Sequence, residues 1–247
     1  MNELHASIRL LNLELFDDEC DKRKNTNHVN KLIFRSNEIA DVTIFISNWL
    51  ANYFIKKGFN KPYKVIYNGC NSNYFYPKKK REVGDVIRLV THHWSSNWMK
   101  GFDIYTELDK LLENRDDIEF TYIGRYNENY KTKNTKIIPP LYGKALGDEL
   151  RKHDIYLTAS RWEPCGMHHI EGARSGLPVL YHKDGGGINE SCRNYGFEYN
   201  DIPSLLKGIE KIRTEFREYR NKIDFEFLDS KRCYQEYYNI ILKMFEL

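Results

Sequence analysis

The chain has 247 residues, of which 41% are hydrophobic and 14% aromatic, and this apolar content excludes an intrinsically disordered protein. Its 38 basic and 35 acidic side chains leave a formal charge of only +3, which gives no indication of a nucleic-acid partner. No apolar run approaches the roughly 18 to 20 residues of a membrane span. The first residues lack the basic and apolar regions of a signal peptide, and five cysteines without Cys-x-x-Cys spacing argue against a disulfide framework or a zinc site. We therefore expect a cytoplasmic protein, with peripheral contact to a membrane left open.

The first 77 residues are predicted to form part of an α/β domain. Residues 8–16 are predicted as a strand or as the first turns of a helix, and residues 28–40 carry a helical stripe of apolar side chains. A buried strand is predicted over residues 41–47, a helix capped by Ser47 or Asn48 over residues 48–58, and a strand over residues 64–69. Strands that alternate with helices at such short intervals indicate a parallel sheet with right-handed crossovers.

A polar linker follows from residue 78, and a second α/β unit is predicted over residues 84–200. Short apolar runs predict strands at residues 86–92, 118–124, 136–141, 155–160 and 178–182. Helices are predicted between Lys100 and Leu112, over residues 147–153, and between the last two strands. We interpret this unit as one doubly wound, Rossmann-like parallel sheet. Residues 201–247 are predicted to form C-terminal helices.

The segment between the last two predicted strands carries the strongest functional signal. Pro164 and Gly166 suit the start of a helix, and Gly176 suits its end. Glu163 stands in the turn and Glu171 lies eight positions later, a rise of only about 12 Å in a helix, so one ligand could meet both carboxylates. The helix N-terminus offers unpaired N–H groups to a phosphate, and a carboxylate in the second turn can accept hydrogen bonds from ribose hydroxyls. The pattern indicates a nucleotide site.

This E-x7-E pattern lies within Ser-Arg-Trp-Glu-Pro-Cys-Gly and Glu-Gly-Ala-Arg-Ser-Gly-Leu-Pro-Val, and Gly-Gly-Gly-Ile-Asn-Glu follows it at residues 185–190. The combination resembles the donor-binding domain of retaining glycosyltransferases of the GT-B fold, family 4 (group 1). Residues 47–50, 65–71 and 75–77 are similar to the passage between the two domains in that family. The resemblance covers about residues 36–200. It implies two Rossmann-like domains, with the last helix crossing back to the first.

The resemblance also implies roles for individual residues. Lys100, in a Lys-Gly pair, is expected to act in catalysis by neutralising the diphosphate of a sugar nucleotide. Glu163 is expected to orient the transferred sugar, also in catalysis, and Glu171 to hold the ribose hydroxyls. Three residues at the helix start are expected to bind the donor through backbone N–H groups: Gly166, Met167 and His168. No metal and no cofactor beyond a UDP or GDP sugar is expected.

One position departs from the family pattern. The family usually has a Gly-Arg pair shortly before the lysine, whereas this chain has His92-His93-Trp94. Either His93 or Arg125 replaces the missing charge, or phosphate binding is weaker than usual. The turn at Gly124 to Tyr126 and the segment with Tyr142 are expected to read the base through backbone atoms. Residues 185–187 alone predict a flexible loop, and Glu190 resembles a position near the sugar.

The segment before the linker is about half the size of a first GT-B domain, which normally supplies the acceptor site. Three explanations are open: a compact transferase, one part of a split enzyme, or a fragment that binds nucleotide without turnover. We predict transfer of a sugar, with retention of configuration, to an unknown glycan, lipid or protein acceptor. The alternative is a non-catalytic nucleotide-sugar-binding subunit that needs a partner chain. Unpaired strand edges would favour such a partner or self-association.

Overall fold

The computed structural model of the protein describes residues 35–78 and 82–244, so the predictions for residues 8–16 and most of 28–40 lie outside the described residues. In the first of these parts, strands β1 (Thr43–Phe45) and β2 (Tyr63–Val65) pair in parallel. Helix α1 (Asn48–Lys56) connects them. The Ser47 side chain accepts a hydrogen bond from the Leu50 N–H, which confirms the predicted N-cap, and Gly58 follows the helix at a φ of +99°. The predicted strand over residues 64–69 ends at Val65.

A six-stranded parallel sheet forms the centre of the second part. Its strands are β3 (Ile87–His93), β4 (Ile118–Gly124), β5 (Lys136–Ile138), β6 (Ile155–Thr158), β7 (Val179–His182) and β8 (Gly196–Tyr199). They are arranged in the order β5-β4-β3-β6-β7-β8. The chain therefore builds the sheet outward from β3 on one side and outward from β6 on the other. In such sheets the point where the order reverses leaves a crevice at the carboxyl ends of the strands, where ligands bind.

Helices cover both faces of this sheet. They are α2 (Phe102–Leu112), α3 (Gly143–Leu150), α4 (Met167–Arg174), α5 (Gly187–Cys192), α6 (Ile202–Thr214), α7 (Phe216–Asn221) and α8 (Ser230–Met244), with a 3₁₀ turn at Trp98–Lys100. Within the described residues, no helix combines the length and the apolar composition needed to cross a lipid bilayer. The arrangement confirms the predicted doubly wound α/β class.

The two faces of β3 belong to two different apolar cores. Leu89 packs with side chains of α2 and α6, whereas Val90 packs with side chains of α1 and α4. Because neighbouring residues of a strand point to opposite faces, a strand covered on both sides is apolar at almost every position. This explains why β3 and β4 were predictable as continuous apolar runs.

Several predicted boundaries were wrong. The helix predicted over residues 147–153 begins four residues earlier and ends at Leu150. Residues 185–187 do not form a flexible loop, because Gly187 begins helix α5 and its N–H donates to the carbonyl oxygen of Glu163 at 2.9 Å. Strand β8 was not predicted, and α7 is a separate short helix within the region that was predicted to be helical.

The C-terminal helix is attached to the first part of the chain. The Arg232 guanidinium donates to the backbone oxygen of Tyr67 at 2.8 Å, and the Cys70 N–H donates to the Leu228 oxygen at 2.9 Å. Residue Cys70 also forms a parallel bridge with Asp229. The start of α8 and the segment that leaves β2 therefore form one packed unit with the second sheet.

Asp109 on α2 organises the loop before β5. Its carboxylate accepts from the backbone N–H groups of Lys133, Asn134 and Thr135 at 3.0, 3.0 and 2.7 Å, and from the Thr135 hydroxyl at 2.6 Å. Burial by itself raises the pKa of Asp109, but the Thr135 hydroxyl and the three N–H donors outweigh burial and lower this pKa below its usual value.

Asp109→Ala should lower the free energy of unfolding at neutral pH by about 2–3 kcal/mol, since it removes the acceptor of three backbone N–H groups, of which that of Thr135 is buried. For a domain of this size the melting temperature should fall by roughly 5–10 °C. The folded-state pKa of Asp109 lies below the unfolded value of about 3.9, so the difference from wild type should shrink as the pH falls below that value. Asp116→Ala, on the exposed turn after α2, is the control. Equal stability of the two variants would contradict the role given to Asp109.

Gly187→Ala should also destabilise the fold, because a Cβ at this residue would lie 1.8 Å from the Pro164 carbonyl oxygen and 2.9 Å from the Ser47 hydroxyl. Backbone must move to relieve the first contact, and we expect a loss of about 1–3 kcal/mol in chemical denaturation. Gly84→Ala is the matched control, since a Cβ there meets nothing within 4 Å. The close packing would be disproved by a Gly187→Ala variant that unfolds at the same denaturant concentration as the control.

Candidate active site

The predicted site residues gather at the carboxyl ends of β3 and β6, where the strand order reverses. Lys100 follows β3 through the 3₁₀ turn, and Gly101 after it has a φ of +88°. A Cβ at Gly101 would lie 2.2 Å from the Cβ of Ala159, so glycine lets this turn lie directly against the end of β6. The Arg161 N–H donates to the Met99 oxygen at 2.9 Å and joins the two segments. The lysine is thereby brought to the turn that carries Glu163.

Lys100 and Glu163 form an ion pair, with the lysine Nζ in direct contact with Glu163 Oε2. Their side chains are only 14% and 9% exposed. Two charges in so dry a place attract each other more strongly than on the surface, but each has lost its hydration. The site therefore holds a cation and a carboxylate at one point.

Backbone contacts from the loop after β7 fix the position of Glu163. Trp162, just before it, has a φ of +49°, which a bulky residue adopts rarely and at a cost. The Trp162 N–H donates to the Asp184 oxygen at 2.7 Å, and the Glu163 N–H donates to the Gly185 oxygen at 3.2 Å. Together with the hydrogen bond from Gly187, these contacts make a small parallel bridge that aims the Glu163 side chain at Lys100.

Helix α4 begins at this place with its first backbone N–H groups uncapped by any side chain. Gly166 is the N-cap residue, and a Cβ there would lie 2.5 Å from the His168 ring and 3.0 Å from Glu163 Cγ. Met167, at the first helical position, is 39% exposed. Uncapped N–H groups and the positive end of the helix dipole next to Lys100 favour an anion such as a phosphate.

Glu171, in the second turn of α4, is paired with a residue that was not predicted to belong to the site. Its Oε2 lies 2.7 Å from Nε2 of His92 at the end of β3. The two side chains are 17% and 4% exposed. Nothing in the sequence spacing indicates this contact, because the two residues are 79 positions apart.

The other three histidines here are buried and neutral. Burial, with the charge of Lys100 as a further cause, lowers the pKa of His93 well below its usual value. Its Nε2 lies 2.9 Å from the Tyr105 hydroxyl, inside the core. Burial also lowers the pKa of His168, whose Nε2 lies 3.0 Å from the Thr158 hydroxyl, and that of His169, to about 3.

These observations correct one expectation: His93 does not replace the missing arginine charge, because its ring is neutral and turned into the core. His168 can contribute to the site only through its backbone N–H. Arg125 is the remaining candidate for the second charge. Its N–H donates to the His93 oxygen at 3.0 Å, its side chain is exposed, and no carboxylate among the described residues pairs with it.

The predicted base-binding residues lie along the same edge of the sheet, at the ends of β4 and β5. Gly124 has a φ of +123°, and a Cβ there would lie 2.1 Å from the His93 oxygen. Tyr142, the N-cap residue of α3, is 65% exposed and stacks on Trp94 with ring centroids 4.1 Å apart. Since neighbouring strands are about 4.8 Å apart, these residues extend the site by roughly 5–10 Å from β3. They belong to its rim, away from the Lys100 and Glu163 pair.

Glu190 does not lie free beside a sugar position. Its Oε2 accepts from the Tyr67 hydroxyl at 2.6 Å and from the Asn48 N–H at 3.0 Å, so it joins α5 to the start of α1. Burial and the Glu190 carboxylate raise the pKa of Tyr67 to about 12. Among the described residues, no three histidine, cysteine, aspartate or glutamate side chains are arranged to hold a metal ion.

Comparisons with known proteins agree on one family. The family described as "Glycosyl transferases group 1" matches residues 95–224, more than half of the chain. Glycogen synthase of Thermosipho africanus is 25% identical over 156 residues, which cover 55% of this chain and 30% of that protein. Mannosylfructose-phosphate synthase of Agrobacterium fabrum is 24% identical over 201 residues, covering 70% of this chain and 43% of that one. The chain thus spans less than half the length of these relatives.

Solved structures show the same fold. Sucrose-phosphate synthase of Thermosynechococcus elongatus superposes with a TM-score of 0.74 at 15% identity, covering 96% of this chain and 66% of that one. The HepE protein of Anabaena, crystallised with UDP and glucose, superposes with a TM-score of 0.71 at 17% identity, covering 90% and 68%. The fold is therefore of the GT-B type, and the chain belongs to the glycosyl transferases group 1 family.

Proposed function

We propose that the protein transfers a hexose-like sugar from a nucleotide diphosphate to an acceptor, with retention of configuration and without a metal ion. The observation that carries this proposal is the position of the Lys100 and Glu163 ion pair beside the uncapped N-terminus of α4. A cation, free backbone N–H groups and a carboxylate at one point match the three parts of a sugar diphosphate: its charge, its oxygens and its hydroxyl groups.

The diphosphate would bind at the N-terminus of α4, with Lys100 as the point charge that neutralises it. Glu163 and the phosphate then compete for the same ammonium group, since Lys100 Nζ is in direct contact with Glu163 Oε2. When the phosphate takes up part of the lysine charge, the carboxylate becomes available to accept hydrogen bonds from the sugar hydroxyls. We expect Glu163 to orient the sugar in this way.

The nucleoside would extend along the strand ends, away from the Lys100 and Glu163 pair. Glu171 in the second turn of α4 would accept from the ribose hydroxyls, and the rim with Gly124 and Tyr142 would surround the base. A structure of HepE that holds UDP and glucose supports a nucleotide sugar as the donor of this chain as well. UDP and GDP both remain as candidates, because backbone atoms at the rim would read the base.

In the transfer step the bond between the sugar anomeric carbon and the diphosphate oxygen breaks while the acceptor oxygen bonds to the same face of that carbon. The acceptor proton leaves with the diphosphate oxygen. Negative charge develops on the departing diphosphate, so stabilisation there accelerates the reaction most. Lys100, the α4 N–H groups and Arg125 would provide it in place of a metal ion.

The first test is the melting temperature of the purified chain with UDP, GDP, ADP and their common sugar conjugates, with and without EDTA. A ligand at about a hundred times its dissociation constant stabilises the folded state by roughly 2.7 kcal/mol, or about 5–10 °C here. We expect a shift with one nucleotide family that is unaffected by EDTA. Glu171→Ala should lower the affinity for this nucleotide on the order of 10- to 100-fold, since a hydrogen bond to a charged group is lost.

Glu198→Ala is the control for that variant, because Glu198 lies on the outer strand β8 and binds the Asn189 side chain. Unchanged affinity in Glu171→Ala, with the folded state intact, would contradict the ribose role. If no nucleotide raises the melting temperature of the wild-type chain, the proposed donor site is wrong.

Lys100→Ala should reduce turnover by roughly 100- to 1,000-fold and weaken nucleoside diphosphate binding, while the affinity for the nucleoside alone stays the same. Because the substitution leaves a buried carboxylate without a partner, Lys100→Ala with Glu163→Gln separates lost stability from lost binding. Isothermal titration with the nucleoside, its monophosphate and its diphosphate measures how much each phosphate group contributes to the affinity in each variant. A Lys100→Ala variant that binds the diphosphate as tightly as wild type would rule out the clamp. Arg125→Ala, in the same titrations, shows whether that side chain contributes the second charge.

Turnover with a panel of acceptors separates a transferase from the alternative of a non-catalytic subunit. Donor binding without transfer to any acceptor would favour the subunit, with the acceptor domain supplied by another chain.

A further inference from the structure

Glu171 is held in place by a neighbouring side chain. His92 Nε2 lies 2.7 Å from its Oε2, and the histidine side chain is only 4% exposed. No other described residue bonds to the Glu171 carboxylate, so three of its lone pairs are free to accept hydrogen bonds. The contact reaches from the end of β3 to the second turn of α4, and the two groups belong to different elements.

The two ring nitrogens of His92 have different neighbours, and the carboxylate next to Nε2 determines the role of that nitrogen. Nδ1 lies 3.1 Å from the Tyr156 hydroxyl, and the His92 backbone N–H donates to the same hydroxyl at 3.2 Å. The hydroxyl oxygen accepts from the backbone N–H, and its own proton can be donated to Nδ1 or to the His92 carbonyl oxygen, 3.4 Å away. Because a carboxylate only accepts hydrogen bonds, Nε2 is the donor to Glu171 in either arrangement.

Tyr156 itself cannot shift. It is fully buried on β6, and a Cβ at Gly172 would lie 2.3 Å from its Cδ2, so α4 and β6 touch at the residue that follows Glu171. A chain of contacts thus runs from Tyr156 through His92 to Glu171 and returns to Tyr156 through Gly172. Every member is anchored on a strand or a helix, which is the condition for a precisely held ligand group.

We infer that His92 is a positioning residue that holds the Glu171 carboxylate in the orientation needed to accept both ribose hydroxyls of the donor nucleotide. The inference rests on the proposed function. Without His92 the glutamate would retain its charge but gain rotamer freedom, and ribose binding would have to order it again. The consequence is specific: His92 should matter only for ligands that carry the two hydroxyl groups.

A comparison of two ligands with three variants tests this. The ligands are the nucleoside diphosphate that shifts the wild-type melting temperature and its 2′,3′-dideoxy analogue, both measured by isothermal titration. We expect His92→Leu to lower the affinity for the ribonucleotide about 10-fold and the affinity for the dideoxy analogue less than twofold. His92→Gln, whose amide N–H can replace that of Nε2, should recover most of the loss. Tyr156→Phe removes the hydroxyl that orients the ring and should give a smaller loss, about threefold, again confined to the ribonucleotide.

His153→Leu is the control, because it removes a buried histidine just before β6, at the opposite end of the sheet. It should change neither affinity. Equal losses for both ligands in His92→Leu, or no loss for either, would overturn the inference while leaving the donor site intact. If the wild-type chain binds no nucleoside diphosphate, both the proposed function and this inference are refuted.

Discussion

The buried ion pair between Lys100 and Glu163 is the contact on which the arrangement of the site depends. Two charges removed from water gain little net stability from each other, and a pair of apolar side chains would often serve the fold as well. The surrounding backbone nevertheless adapts to them: Gly101 allows the lysine turn to touch Ala159, and Trp162 takes a costly positive φ. Such expense at a strand-end crevice is expected where charge serves a ligand, which is the basis of the proposed function.

Three histidines near this pair add no positive charge to the site. Burial and the nearby ammonium group keep the rings of His93 and His168 neutral, and the ring nitrogens of His169 have no hydrogen-bond partner among the described residues. Neutral rings fill the space behind Lys100 and exclude water without adding further positive charge. An anion at the α4 N-terminus would therefore meet the Lys100 ammonium group in surroundings of low polarity, where the attraction between charges is strongest. None of the three rings supplies the second charge of the family's clamp, which leaves Arg125 as the candidate for it.

The sequence predicted the fold well where burial makes a strand apolar on both faces, as in β3 and β4, and poorly where the sheet ends. Strand β8 is short and half exposed, with Glu198 at its centre, so it has no apolar run to detect. Helix α5 begins at the third of three consecutive glycines. Glycine has the poorest helix propensity after proline. The close packing of Gly187 against Pro164 and Ser47 determines where this helix begins, and such tertiary contacts leave no signal in the local sequence.

The site shows the same division. Lys100, Glu163 and Glu171 lie within short motifs, so the resemblance identified them, and the structure brings all three to one crevice. His92 was not predicted as a site residue because its partner, Glu171, is distant in sequence. Only the pairing of β3 with β6 brings the two residues together. His93 was chosen instead of His92 since two adjacent histidines are equivalent in a sequence. In a strand they point to opposite faces, and that alternation decides which one reaches Glu171 and which one enters the core.

The first part of the chain also helps to hold the donor site in place. Glu190 binds both Tyr67 and the N–H of Asn48, and Gly187 packs on Ser47 at the start of α1. The loop between β7 and α5, which fixes the backbone of Glu163, is therefore itself held by α1 and the segment after β2. A change at the start of α1 would move that loop, and with it the carboxylate that faces Lys100. The donor site is thus a property of both parts of the chain, although every residue proposed to touch the donor lies in the second.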